Sequence, residues 1–157
     1  MFHVLNKSLA GCLLVSALAA PAATSAEGPY SSLDPKAITI HLPAELKWKD
    51  TPFGASSIAL AGDASKPELY VQLVRWSAHH NSRPHFHPND RFITVMSGTW
   101  WVATGRDYDP EHMKPVPQGS FVKHFGNEVH YDGAKDGDVI LEIVGMGPET
   151  MTPAEAR

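Results

Sequence analysis

The chain has 157 residues, with 13 lysines and arginines against 17 aspartates and glutamates, 9 histidines and one cysteine. That length is one domain, sufficient to bury a core without disulfides, and the lack of any basic cluster argues against a nucleic-acid partner. The only cysteine is Cys12, so disulfide frameworks, cysteine-ligated zinc and thiol chemistry are excluded once the leader is gone.

Residues 1–26 read as a secretory signal peptide. Lys7 gives a weakly positive start, Leu9 to Ala20 is apolar, and small residues lead to cleavage after Thr24-Ser25-Ala26. The apolar run is too short to span a bilayer and nothing later is longer. The mature protein is therefore expected to be periplasmic or secreted, with no membrane contact after signal removal. Leu9-Ala10-Gly11-Cys12 resembles a lipoprotein box, but here the apolar stretch follows the cysteine instead of preceding it, which argues against lipid attachment. Cleavage after Ala26 removes one base, Lys7, and no acid, so 12 bases face 17 acids and the net charge moves from −4 to −5.

Residues 27–50 are expected to be a Pro-rich arm with one short strand near Ile38-Thr39-Ile40, and residues 51–157 the folded domain. Short β-rich runs separated by turn signals follow: Ser56 to Leu60, Leu69 to Trp76, Arg91 to Met96, Thr99 to Ala103, Phe121 to His124 and Val139 to Val144. Ser97-Gly98 is read as the turn of a hairpin, and Arg106 to Pro117, with three prolines, as a surface loop. Many short strands without long helical periodicity predict an all-β sandwich or small antiparallel barrel with a ligand site in its mouth.

Within that pattern His85-Phe86-His87 carries the chemistry. Residues i and i+2 of a strand project from one face, so both imidazoles point the same way, and imidazole suits transition metals better than calcium or magnesium. His130 lies at the end of a later turn. No Gly-x-Ser-x-Gly elbow and no phosphate-cradling glycine loop occurs.

These residues resemble the cupin superfamily over most of the mature chain. His85, His87 and Gly98 match the first cupin motif at the right intervals, and Gly119 and His130 match the second. The departures are His79 at the leading glycine of the first motif and Arg91 at its glutamate. In the second, Phe125 replaces the proline, Asn127 the second glycine and Ala134 the final asparagine. Asn127 is a mild change because Asn tolerates a left-handed backbone.

The resemblance implies an all-β jelly roll in which His85, His87 and His130 converge on a divalent transition metal (Fe, Mn, Zn, Ni or Cu). His124 is the first candidate for a fourth ligand, ahead of Gln72 and Glu142. Arg91 cannot coordinate a metal. It either weakens the metal site, grips an anionic substrate, or pairs with Asp90 or another acid. Of Trp100 and Trp101 at most one lines the cavity, and Trp101 is taken as the substrate-facing member beside Arg91. His79-His80 are expected at a rim or turn, and His41 and His112 carry no signal. The resemblance further implies a small-molecule ligand, a homodimer, and, if the protein is an enzyme, a dioxygenase-like oxidoreductase or an isomerase acting on a small oxygenated or anionic substrate. The alternative is a non-catalytic module for an anion or sugar, with structural or no metal. A third is a structural protein with a decayed site.

Overall fold

Along residues 139–146 the buried positions are Val139, Leu141, Ile143 and Gly145, while Ile140, Glu142, Val144 and Met146 are less covered. The same period of two runs through residues 91–96, where Arg91, Ile93 and Val95 are buried and Phe92 and Met96 exposed. Such alternation belongs to strands with one face on a core. A computed structural model describes residues 28–157; the expected signal peptide and Cys12 lie outside the described residues.

Among the described residues eleven strands are formed: β1 (Lys49–Asp50), β2 (Ala55–Ala61), β3 (Leu69–Trp76), β4 (His85–Phe86), β5 (Arg91–Ser97), β6 (Thr99–Thr104), β7 (Lys114–Pro117), β8 (Phe121–His124), β9 (His130–Gly133), β10 (Val139–Met146) and β11 (Thr152–Pro153). They make a six-stranded sheet in the order β1-β2-β3-β10-β5-β8 and a five-stranded sheet in the order β11-β4-β9-β6-β7, with every pairing antiparallel. The buried cluster includes Tyr70, Trp76, Ile93, Val95, Trp100, Val139, Leu141 and Ile143, drawn from the inner faces of strands in both sheets. The all-β expectation holds, and among the described residues no helix is long and apolar enough to cross a membrane.

Three local expectations are corrected. Residues 91–96 and 99–103 form strands but no hairpin, because β5 and β6 belong to different sheets. Gly98, at φ 79°, turns the chain from one sheet to the other, and a Cβ there would lie 2.3 Å from the Asp138 carbonyl oxygen. The expected loop 106–117 contains β7, whose prolines are tolerated because β7 is an edge strand. No strand forms at Ile38-Thr39-Ile40; among the described residues the first paired are Lys49 and Asp50, against Ser57 and Ser56.

Residues 28–39 and 40–157 are two units. The first is a run of turns: the Ser31 and Leu33 N–H groups donate to the Gly28 and Tyr30 carbonyls, and the Lys36 N–H to the Asp34 carboxylate.

Candidate metal centre and cavity

Two strands of the five-stranded sheet deliver the histidines. β4 and β9 pair with His85 opposite His130, and His87 lies two residues beyond His85 on the same face. All three are buried, at 3%, 6% and 6% exposure. Their ligating nitrogens lie within 4.8 Å of one another, and the ring centroids are 4.6 to 5.5 Å apart.

Backbone carbonyls fix the tautomers of two rings. His85 Nδ1 donates to the Arg83 carbonyl at 2.7 Å and His130 Nδ1 to the Glu128 carbonyl at 3.0 Å. Each Nε2 is then left with its lone pair directed inward, the orientation in which ligating histidines are held. His85 Nε2 and His87 Nε2 are 3.1 Å apart. Two nitrogens each about 2.1 Å from one ion lie roughly 3.0 to 3.4 Å apart, so this spacing fits a shared metal. His87 Nδ1 is buried without a partner.

Burial pushes His130 down to about 4, against the pull of Asp132, with His85 and Arg91 adding to the lowering. His87 is pushed down to about 2, again chiefly by burial and then by Arg91. His130 and His87 are therefore neutral at physiological pH, as ligands must be.

Arg91, where the family motif has glutamate, is 7% exposed and points among these rings. Its Nη2 donates to His130 Nε2 at 3.2 Å and to His124 Nδ1 at 3.1 Å, while Nη1 donates to Glu149 at 2.8 Å. The acid that Arg91 pairs with is thus Glu149; Asp90 instead pairs with Lys123 at 2.7 Å. Gln72 donates to the other Glu149 oxygen at 2.7 Å. A metal at the three histidines must displace the Arg91 hydrogen bond on His130.

A second carboxylate, Asp132, is 7% exposed. It accepts hydrogen bonds from the Ser82 hydroxyl at 3.1 Å and the Trp100 indole at 2.9 Å, both uncharged. Burial raises its pKa, yet its carboxyl is held below the usual carboxylate value, with the Arg91 guanidinium contributing to that. With Arg91 neutralised by Glu149, Asp132 leaves the interior one negative charge in excess, an arrangement that favours a bound cation.

The remaining candidates fall outside the ligand set. His124, expected as the fourth ligand, turns its Nδ1 to Arg91 and is wedged between the His130 and Trp100 rings, at 4.0 and 5.2 Å. Glu142 alternates with Leu141 and Ile143, which line the cavity, and so faces the other side of its sheet. Trp101 is corrected: Trp100 is the cavity residue, fully buried, whereas Trp101 faces away beside Asp136 and Asp138, with Lys135 Nζ 4.4 Å from its ring centroid. The sequence established that only one of the pair could face in; the inward register of β6 decides which.

His79 and His80 lie at a turn, as expected. His79 takes φ 64° and Asn127 takes φ 65°, the left-handed backbone of the glycines they replace.

Glu149 and Asp132 were missed by sequence reasoning. Asp132 was within reach, since it lies two residues after His130 on the same strand face. Glu149 sits in a Gly/Pro-rich segment beyond β10 with no motif to mark it.

The cavity beside the histidines measures about 320 Å³. Its inner wall is Trp100, Ile93 and Leu141, nearly or fully buried. Phe53 and Met151, 51% and 42% exposed, stand where it meets solvent.

No protein-family model matches the chain, and no curated relative matches it. Solved structures do. The polyketide cyclase RemF from Streptomyces resistomycificus aligns with a TM-score of 0.64 at 13% identity, covering 76% of this chain and 87% of that one. KdgF from Halomonas sp. aligns at 0.55 and 16% identity, over 69% and 95% of the two chains. An RmlC-like cupin from Shewanella frigidimarina gives 0.55 at 13% identity, over 68% and 89%. Identities this low speak for the fold alone. The two antiparallel sheets, the histidines at both motif spacings and these alignments together give this protein the cupin fold, with a buried histidine triad that could hold a metal ion.

Proposed function

We propose that the protein is a metal-dependent enzyme of the cupin fold that acts on a small oxygenated molecule. The observation that carries this reading is the convergence of three buried imidazoles beside a buried carboxylate that has no cationic hydrogen-bond partner among the described residues. A bound divalent transition metal would supply Lewis acidity and open positions for substrate oxygen or dioxygen. The chain's own residues do the rest. His85, His87 and His130 hold the ion; the Arg83 and Glu128 carbonyls orient two of those rings; Trp100, Ile93 and Leu141 exclude water from the inner wall. A dioxygenase-like or isomerase-like reaction is the class we favour.

The engagement of Arg91 by Glu149 counts against the alternative of an anion-binding module, because the guanidinium is already neutralised. Enzyme and module part company on chelation. Protein loaded in turn with Fe, Mn, Zn, Ni and Cu is screened with small phenols and enols for oxygen uptake and isomerisation. Turnover that chelation abolishes and reloading restores is expected; ligand binding that survives chelation, with no turnover under any metal, would contradict the enzyme reading.

We further propose that residues 1–26 direct export, so that protein recovered from the periplasm or medium begins at Glu27. An N-terminus at Met1 in the secreted fraction would refute it. A homodimer is the assembly we propose. The exposed Phe92 and Phe121 on the outer face of the six-stranded sheet, stacked at 6.3 Å, are consistent with it. Light scattering checks this directly, and a monomeric mass would exclude it.

A further inference from the structure

Most of the polar side chains around the cavity already have hydrogen-bond partners. Gln72 and Arg91 both donate to Glu149; Ser82 and Trp100 both donate to Asp132; the Thr51 hydroxyl donates to the Pro52 and Ala55 carbonyls. What remains for a ligand is a mainly apolar wall, with Val74, Trp76 and Ile143 beside the inner residues, and a few polar groups: the histidines, Arg91 Nε and the Ser57 hydroxyl. A polyhydroxylated ligand would bury more hydroxyls than these few groups can bond.

The mouth carries a second, independent sign. Phe53 adopts φ 76°, ψ 14°, a left-handed backbone costly for a bulky side chain and natural for glycine. It is held there because Gly54 follows at φ 78° with its backbone against the His80 ring, which would lie 2.1 Å from any Cβ at Gly54. The turn thus places an aromatic ring, half in water, at the rim of an apolar cavity. An unfavourable backbone and an exposed ring in one residue mark a place where a ligand is gripped.

We infer that the cavity takes a small molecule with a flat apolar body of one or two rings and a small oxygen-bearing head, and that Phe53 is the residue that selects for that body. The head lies toward His85 and His87, and the body lies against Trp76, Val74 and Ile143 and is closed over by Phe53 and Met151. This rests on the reading that the histidine-lined cavity is the working site, but it does not depend on metal.

The test uses the metal-free full-length protein, with 2-naphthol and D-glucose as probes, followed by calorimetry and by the fluorescence of Trp76 and Trp100. Phe53→Gly removes the ring while suiting the left-handed backbone, so its thermal midpoint should equal or exceed that of the native protein, which separates lost binding from lost folding. The native protein is expected to bind 2-naphthol and not glucose, and Phe53→Gly to weaken naphthol binding about tenfold. Binding of glucose but not naphthol, or equal naphthol affinity in both proteins, would overturn the inference. Naphthol binding in a protein that takes up no metal on reloading would support it while overturning the metalloenzyme reading.

Discussion

The two sheets bring opposite chemistry to one cavity. The five-stranded sheet and the turn after β4 supply imidazole nitrogens and a carboxylate: His85, His87, His130 and Asp132. The six-stranded sheet supplies a cation, Arg91, from the strand position where the family motif carries glutamate. That cation lies 3.2 Å from a nitrogen a metal would need. The contrast teaches that metal affinity here is a competition, settled by how firmly Glu149 and Gln72 hold Arg91 on its own side.

The largest effect should come from the donor side. Replacing His85 and His87 by alanine removes two of three ligands and should abolish metal binding measured by calorimetry; retained binding would move the site elsewhere. Next comes the wall. Trp100→Ala should destabilise the fold by about 3 to 5 kcal/mol, as for other buried aromatic truncations. Trp101→Ala, on the other face, should cost about 1 kcal/mol. Equal losses in denaturant unfolding would mean the two rings are placed wrongly.

On the cation side, Arg91→Gln frees His130 Nε2 and leaves Glu149 needing a cation, so metal affinity should rise about tenfold, or about 1.4 kcal/mol. An unchanged affinity would show that Arg91 does not compete.

The smallest effect is on pH. His130 and His87 are held below the ordinary histidine value of about 6.5. Between that value and about 4 the unfolded chain binds more protons than the folded one. The stability these rings contribute is complete above pH 6.5 and is lost as pH falls through that window. The metal-free protein should therefore melt at a lower temperature at pH 5 than at pH 7.5. A constant midpoint would contradict the burial argument.

Much of this contrast was legible in the residues. The i, i+2 spacing of His85 and His87, and His130 at the second motif's interval, located the triad because strand geometry and turn lengths fix those positions. Asn127 revealed its backbone because few residues tolerate φ 65°. The rest depended on contacts that local pattern does not encode. Glu149 reaches Arg91 across 58 residues of sequence. The choice between Trp100 and Trp101 turns on the inward register of β6 in its sheet. β7 was hidden because prolines read as loop unless the strand is known to be an edge.

The central claim is that the histidine triad holds a metal despite Arg91. Metal content of the protein recovered from its native compartment, measured by mass spectrometry beside a His85→Ala/His87→Ala/His130→Ala variant, tests it most directly. Near-stoichiometric transition metal in the native protein and none in the variant is the expected result. No metal in either, even after reloading, would mean that Arg91 has taken the ion's place for good.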